Sequence, residues 1–474
     1  MKCIIRNFLL VIVVCTSCKS YSQGKRNEGN GSNNKAPMGV FKTEIPDHLY
    51  DIILGRPTDH SITFSFLATT DMVGYFQYGL HKENLNLKTA VTNFVKGQTA
   101  FIDIKNLVPN SRYYYQFVTT ENSSQSSTLN YFQTQRAKSA NFSFCIQADS
   151  HLDENTNPAM YERTLKNMAQ DSVDFLVDLG DTWMTDKYRN DYKESLKQYI
   201  AQRYYFGTVC NSSSLFLTLG NHDGESSQQK KAQSTERMID WSSNTRTQYY
   251  PNPFPNEFYS GNNQKEKTVG YVQNYYSWQW GDALFIVLDP FRFTNNNRNP
   301  WQRTLGEQQY QWLQKTLTSS HATFKFVFIH NLVGGADNNG IARGGVEAAK
   351  FFEWGGLDTN GINAFGSNRP GWEAPIHQLL VANKVNAVFH GHDHFFAKQD
   401  LDGIVYQLIP QPGSFKYGNS RSPAEYGYAS GKIMNNPGYV RIKIENGHAI
   451  VDYVQTSIDQ AHKNKEVLYS YEFK

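Results

Sequence analysis

Apolar and polar residues alternate with two different rhythms along this chain. From about residue 45 to 136, short runs (YDIILGRP, SITFSFLA, YFQYGL, TAFIDI, RYYYQFVTT, LNYFQT) are separated by turn residues. Regular spacing of this kind predicts an all-β sandwich over residues 41–136. From Ser139 onward, apolar runs alternate with helical stretches, which predicts an α/β domain over residues 137–474. Its strands are FSFCIQA (142–148), DFLVDLG (174–180), LFLTLG (215–220), ALFIVLD (283–289), FKFVFIH (324–330) and VNAVFH (385–390). Between them, Met160–Ala169 sets Tyr161, Leu165 and Met168 on one helical face, and residues 306–317 do the same with Gln309, Leu313 and Leu317. The C-terminal part returns to strands: IVYQLIPQ, YVRIKIE, AIVDYVQ and VLYSYEF.

Length and composition bound this picture without changing it. A chain of 474 residues exceeds one ordinary core, so two domains are expected. Hydrophobic content of 39% and aromatic content of 14% describe a globular, aromatic-rich protein. A formal charge of +3, with no basic run, gives nucleic-acid binding no electrostatic support. The first residues add an address. Lys2 and Arg6 precede the apolar run Asn7–Val14, which is too short to span a bilayer. Residues 1–18 read as a bacterial signal peptide, and CTSC resembles a lipobox with Cys18 as the lipidated residue. Cys15 stands where leucine is usual, which leaves plain cleavage as the alternative. The expected location is therefore outside the cytoplasm, as a lipoprotein held to a membrane through Cys18, in the periplasm or at the cell surface. Residues 19–40 are polar and rich in Gly, Ser and Asn, and read as a flexible tether. Cys145 and Cys210 lie in or near strands and read as buried thiols, able to bond only if close together.

The chemistry lies at the strand ends. Five of the six α/β strands run into a polar cluster, and the carboxyl ends of such strands are where sites form. The clusters are Asp149-Ser150-His151, Gly180-Asp181, Gly220-Asn221-His222-Asp223, His330-Asn331 and Gly391-His392-Asp393-His394. Taken singly, each is a good turn or a packed histidine. Together they supply Asp, Asn and His, donors suited to Fe, Mn or Zn, with carboxylates able to bridge two ions.

The ordered set DxH, GD, GNHD, H and GHxH resembles the calcineurin-like metallophosphoesterases. The β-sandwich ahead of it is similar to that of purple acid phosphatases, and LVPNSRYYYQF resembles a fibronectin type III strand, with Tyr113 or Tyr115 able to form a tyrosine corner. The resemblance implies an αββα metallophosphoesterase sandwich binding two divalent or trivalent metal ions. It implies Asp149, His151 and His394 on one ion, Asn221, His330 and His392 on the other, and Asp181 bridging. Two ions so held, about 3.5–4 Å apart, lower the pKa of a shared water and neutralise a transferring phosphoryl group. His222 is left to protonate the leaving oxygen or to bind the phosphoryl group, with Asp223 beside it as an orienting partner or, alternatively, as a helix N-cap or turn residue. His390 matches no ligand position and reads as packing or as a support for the ligands. Asp178 and Asp393 read as carboxylates that support the ligands. Purple acid phosphatases carry a tyrosine in GDxxY where this chain has Met184, so the resemblance does not extend to their Fe(III)–tyrosinate centre.

Polar insertions at 224–273 and 331–375 are expected to flank the metal end. The second carries Arg343 and Arg369, each a candidate clamp for a phosphate or, alternatively, a surface salt-bridging or turn-stabilising residue. Trp183, Trp354 and Trp372 are candidates for stacking a substrate, with packing the plainer role. The reading is thus an exported hydrolase of small-molecule phosphomonoesters. A phosphodiesterase on the same ligands, a hydrolase of a non-phosphate bond, and a surface binding protein with a vestigial catalytic domain are the alternatives.

Overall fold

Alternate residues of the strand Phe142–Gln147 face two different cores, and this sets the architecture. Phe142, Phe144 and Ile146 enter a core shared by two sheets, whereas Cys145 joins a second core under helices. The computed structural model describes residues 39–120, 126–227, 236–296, 298–333, 343–418 and 420–473. The signal-like segment and nearly all of the tether lie outside these residues.

One sheet runs in the order Ser214–Leu217, Phe175–Asp178, Phe142–Gln147, Gly438–Glu445, His448–Gln455, Val467–Phe473. Its first three strands are parallel and the C-terminal three are antiparallel additions. The facing sheet has eight strands, of which Ala283–Val287, Phe324–Ile329, Ala387–His390 and Ile404–Leu408 are parallel neighbours. Between the sheets lies an aromatic core in which Phe285 meets Phe144 at 5.2 Å, Phe175 at 5.2 Å and Trp278 at 4.9 Å. Each such ring gives up about 1.5–3 kcal/mol of favourable burial if left in water, so facing apolar strands have no better arrangement. Helices Pro158–Gln170 and Leu196–Cys210 cover the outer face of the first sheet. Helices Glu307–Thr318 and Ile376–Ala382 cover that of the second. This is the αββα sandwich that the family resemblance implies.

The N-terminal region is all-β. Tyr50–Gly55, Ile62–Ala68 and Thr99–Ile104 form one sheet, and five strands around Met72–Gly79 and Arg112–Thr119 form another. They enclose Phe64, Phe66, Phe76, Tyr115, Phe117 and Phe132. Tyr113, not Tyr115, makes the corner: its Oη accepts the Val108 N–H at 3.0 Å. Tyr115 instead donates to the Asn211 carbonyl at 2.6 Å. The buried Arg203 of helix Leu196–Cys210 reaches this region too, donating to Ser65 Oγ at 2.9 Å and to the Ser65 carbonyl at 3.0 Å.

Cys145 and Cys210 are free and buried, and burial pushes both thiols up, out of reach of reactivity. Among the described residues no helix is long and apolar enough to cross a membrane.

Candidate metal centre

The parallel strands Phe142–Gln147, Phe175–Asp178, Ser214–Leu217, Phe324–Ile329 and Ala387–His390 end side by side, so the five polar clusters that follow them converge. The turns are tight. Asp149, His151, Asp181, His392 and His394 all have positive φ, between 50° and 78°. A non-glycine residue held there costs about 1–3 kcal/mol, and such strain gathers where function demands it. The adjoining glycines are needed for close approach. A Cβ on Gly220 would lie 2.0 Å from the Asp181 nitrogen, and one on Gly391 would lie 2.8 Å from Asp149 Oδ2.

Two groups of side chains meet here, Asp149 with His151 and His394, and Asp181 with His330 and His392. In the first, Asp149 Oδ1 stands 3.4 Å from His394 Nε2 and 3.7 Å from His151 Nε2. Asp181 lies between the groups: its Oδ2 is 3.6 Å from His151 Nε2 and 3.4 Å from His330 Nε2. Asn221 Oδ1 joins the second group, 3.1 Å from His330 Nε2.

The donor set fits cations. His330 Nδ1 lies 2.8 Å from the Leu179 carbonyl, which can only accept, so Nδ1 carries the hydrogen. When the ring is neutral, as a metal ligand must be, its Nε2 lone pair faces Asn221 Oδ1, Asp181 Oδ2 and, at 3.1 Å, His392 Nδ1. Four lone pairs pointing at one another in a buried space repel unless a positive charge sits among them. Asp149 Oδ1 and His151 Nε2 are likewise buried, without hydrogen-bond partners among the described residues. Electrostatics agree. Burial alone pushes His330 down, but Asp181 and Asp149 outweigh it and hold the ring at about 9. Burial alone raises Asp149, yet the surrounding histidines, His394 foremost, hold it far below the usual carboxylate range.

The supporting residues depart from the sequence reading in several places. His151 Nδ1 is held by Asp153 Oδ2 at 3.2 Å, a partner two residues away that the sequence reading passed over. Asp178 supports the loop rather than a ligand, accepting from Gln147 at 2.8 Å, Gly180 N–H at 3.1 Å and Thr182 at 2.5 Å. Burial pushes its carboxyl up to about 6. Asp393 binds Arg343, the Gly344 N–H and Tyr428 Oη, not a histidine ring. His390 is buried, with burial pushing it down to about 3, and it packs.

His222 is 21% exposed to solvent, its ring 6.3 Å from that of His151. Its orienting carboxylate is Asp186, whose oxygens lie 3.0 and 3.1 Å from Nδ1. Of the two roles the sequence leaves to Asp223, orienting partner and turn residue, it takes the second. Asp223 accepts four backbone N–H groups, from Gly220 at 2.7 Å, Thr182 and Trp183 at 2.9 Å, and Asp181 at 3.2 Å. It ties the Gly180-Asp181 turn to the Gly220-Asn221 turn, so it holds the bridging carboxylate in place.

The arginines part company. Arg343 donates to Asp393 at 2.8 Å and to the His392 carbonyl at 3.2 Å, so it adjoins the centre. Arg369 is committed to Glu353 at 2.6 Å and to the carbonyls of Trp301, Arg303 and Asn368, none of them in the centre. Its expected role as a phosphate clamp does not fit this placement. Trp183 stacks on Tyr199, Trp354 donates to Tyr406, and Trp372 stacks on Tyr310, all as packing. Met184 is buried and brings no oxygen to the centre.

The family model for calcineurin-like phosphoesterases matches residues 142–396. Among solved structures, one described as PhoD aligns over 94% of this chain and 92% of its own, with a TM-score of 0.63 at 15% identity. A purple acid phosphatase from yellow lupin (Lupinus luteus) seeds aligns over 90% of this chain and 74% of its own, with a TM-score of 0.58 at 13% identity. No curated protein matches the sequence.

Proposed function

The chain belongs to the calcineurin-like phosphoesterase family, and from that premise we propose that it hydrolyses phosphomonoesters of small molecules with a pair of metal ions. The observation that carries this reading is the two ligand groups sharing Asp181, with the oriented, partly exposed His222 beside them. Asp149, His151 and His394 would hold one ion, and Asn221, His330 and His392 the other. Iron, manganese or zinc bound there would supply a water of lowered pKa and neutralise charge on the phosphoryl oxygens. The chain's own residues do the rest. Asp186 fixes the His222 ring through Nδ1, so Nε2 is left to deliver a proton. As the phosphorus–oxygen bond to the alcohol breaks and a water oxygen takes its place, that proton goes to the departing alkoxide. Arg343 holds the His392 loop from behind through its carbonyl.

Export with a lipid at Cys18 is proposed on the signal-like segment alone; incorporation of labelled palmitate into the wild type but not into Cys18→Ala tests it. The activity is tested by metal content together with hydrolysis of mono- and bis-p-nitrophenyl phosphate. Two metals per chain and faster turnover of the monoester support the reading. Faster turnover of the bis ester replaces it with a diesterase on the same ligands, and folded protein without bound metal overturns it.

A further inference from the structure

Beside His394 the centre opens into a cavity of about 210 Å³, lined among others by Asn155, Gln411, Ser414, Lys416, Ser422 and Tyr426. Its lining is mainly polar. Gln411 is only 4% exposed and its Nε2 has no hydrogen-bond partner among the described residues. A buried amide left unpaired is costly, and such groups persist where a ligand completes them. Ser414 Oγ accepts the Lys416 N–H at 3.1 Å, which leaves its own hydrogen to donate. The Lys416 side chain is exposed. The aromatic residues of the lining are already covered. The Arg343 guanidinium lies 4.1 Å over the Tyr426 ring, and Phe395 is 1% exposed, packed edge-on against Tyr428. Among the described lining residues, no aromatic ring is free on both faces to stack a nucleobase. The volume also falls below the roughly 300–1,000 Å³ of pockets that take drug-sized ligands.

We infer that this recess holds the alcohol half of the substrate, and that the alcohol is a small polyhydroxylated one, of the size and kind of a sugar. The inference rests on the phosphomonoesterase reading above. A hydroxyl both donates and accepts, so a polyol can satisfy the amides, the serines and the lysine together. An apolar chain would enter the recess and leave those groups unpaired, which is how a polar site rejects an analogue lacking hydroxyls.

The test compares glucose 6-phosphate, n-hexyl phosphate and AMP on protein reconstituted with Mn²⁺, since all three release a primary alcohol. In the wild type, kcat/KM for glucose 6-phosphate should exceed that for either other ester by about tenfold or more, the scale of one or two hydrogen bonds. Gln411→Ala and, separately, Lys416→Ala should each shrink the glucose 6-phosphate to hexyl phosphate ratio several-fold. Should Gln411→Ala fail to fold, Lys416→Ala at its exposed position still carries the test. Equal ratios in the wild type, a ratio unmoved in the folded variants, or a preference for AMP overturns the inference. Turnover of p-nitrophenyl phosphate alongside any of those results leaves the phosphomonoesterase reading standing. No turnover of any phosphomonoester overturns both.

Discussion

Each half of the metal centre sets an aspartate beside two histidines, with the part-buried Asn221 added to the second, yet these aspartates and histidines are unlike in exposure. In the group of Asp181, His330 and His392, every side chain is buried, and the orienting contact on His330 comes from the backbone carbonyl of Leu179. In the group of Asp149, His151 and His394, the His394 ring is 36% exposed, it borders the polar recess, and the orienting contact on His151 comes from a side chain, Asp153. The difference assigns work. A buried group held by backbone is a fixed part of the fold, while the open group is where a substrate can arrive and where single substitutions have room to act. Asp181, set between them, makes the two halves one device.

The most damaging way to break that comparison is to remove the shared charge. Asp181→Asn is expected to lose both metals by elemental analysis and to lower turnover by about 10³-fold or more, beyond what one missing polar contact does. Both metals retained in the purified variant would sink the bridging role. The next effect lies on the open side. His222→Ala should keep both metals but lose about 10²-fold in kcat, the usual reach of a single general acid. The loss should be greater for alkyl than for p-nitrophenyl esters, because the poorer leaving group needs the proton more. Asp186→Asn should reproduce part of that loss with the same leaving-group dependence. If it behaves as wild type, the orientation argument fails.

A third prediction concerns the buried half through its proton. Without metal, His330 titrates at about 9, above its ordinary 6.5, because Asp181 and Asp149 outweigh its burial. A raised histidine pKa contributes stability that is fully present below 6.5 and is lost as pH rises through 9. At 1.36 kcal/mol for each unit, the metal-free protein should lose up to about 3 kcal/mol across that window. Metal excludes the proton from the ring, so the loaded protein should not share this loss. Denaturant melts of both forms at several pH values check it. Parallel pH profiles would mean that the imidazole does not sit among those carboxylates.

These contrasts also explain what the sequence could disclose. The sheets are legible because each central strand is buried on both faces and reads as an unbroken apolar run. Strand Phe396–Leu401 escapes that reading because Lys398 and Asp400 interrupt it near the sheet's edge. Helix Leu196–Cys210 escapes for the opposite reason. It is wedged between the first sheet and the N-terminal strands, so Gln198, Gln202 and Arg203 are buried along with its apolar residues and no stripe appears. The ligands are legible because each follows directly on a strand. Asp186 is not, since it sits 36 positions before the histidine it orients and only the fold brings them together. Asp223 misleads by adjacency: next to His222 in the chain, its carboxylate is taken up by four backbone N–H groups of the neighbouring turns.

The smallest effect sharpens the comparison most, because it asks whether the halves can be separated. Asp153 touches the open group only, through His151 Nδ1, and it also accepts the Asn155 N–H at 2.8 Å. Removing a carboxylate that orients a ligating histidine typically weakens metal binding by about 10–100-fold. Asp153→Asn keeps the shape and most of the Asn155 contact but gives up the charge. It should therefore weaken one metal equivalent by that factor and leave the other unchanged in a calorimetric titration. The buried half offers no matching substitution, because a carbonyl at Leu179 survives any change of side chain. If both equivalents weaken together in Asp153→Asn, then Asp181 couples the two halves so tightly that the open group has no independent affinity. If neither weakens, His151 is held by its strained turn alone, and the charge of Asp153 serves the loop rather than the metal.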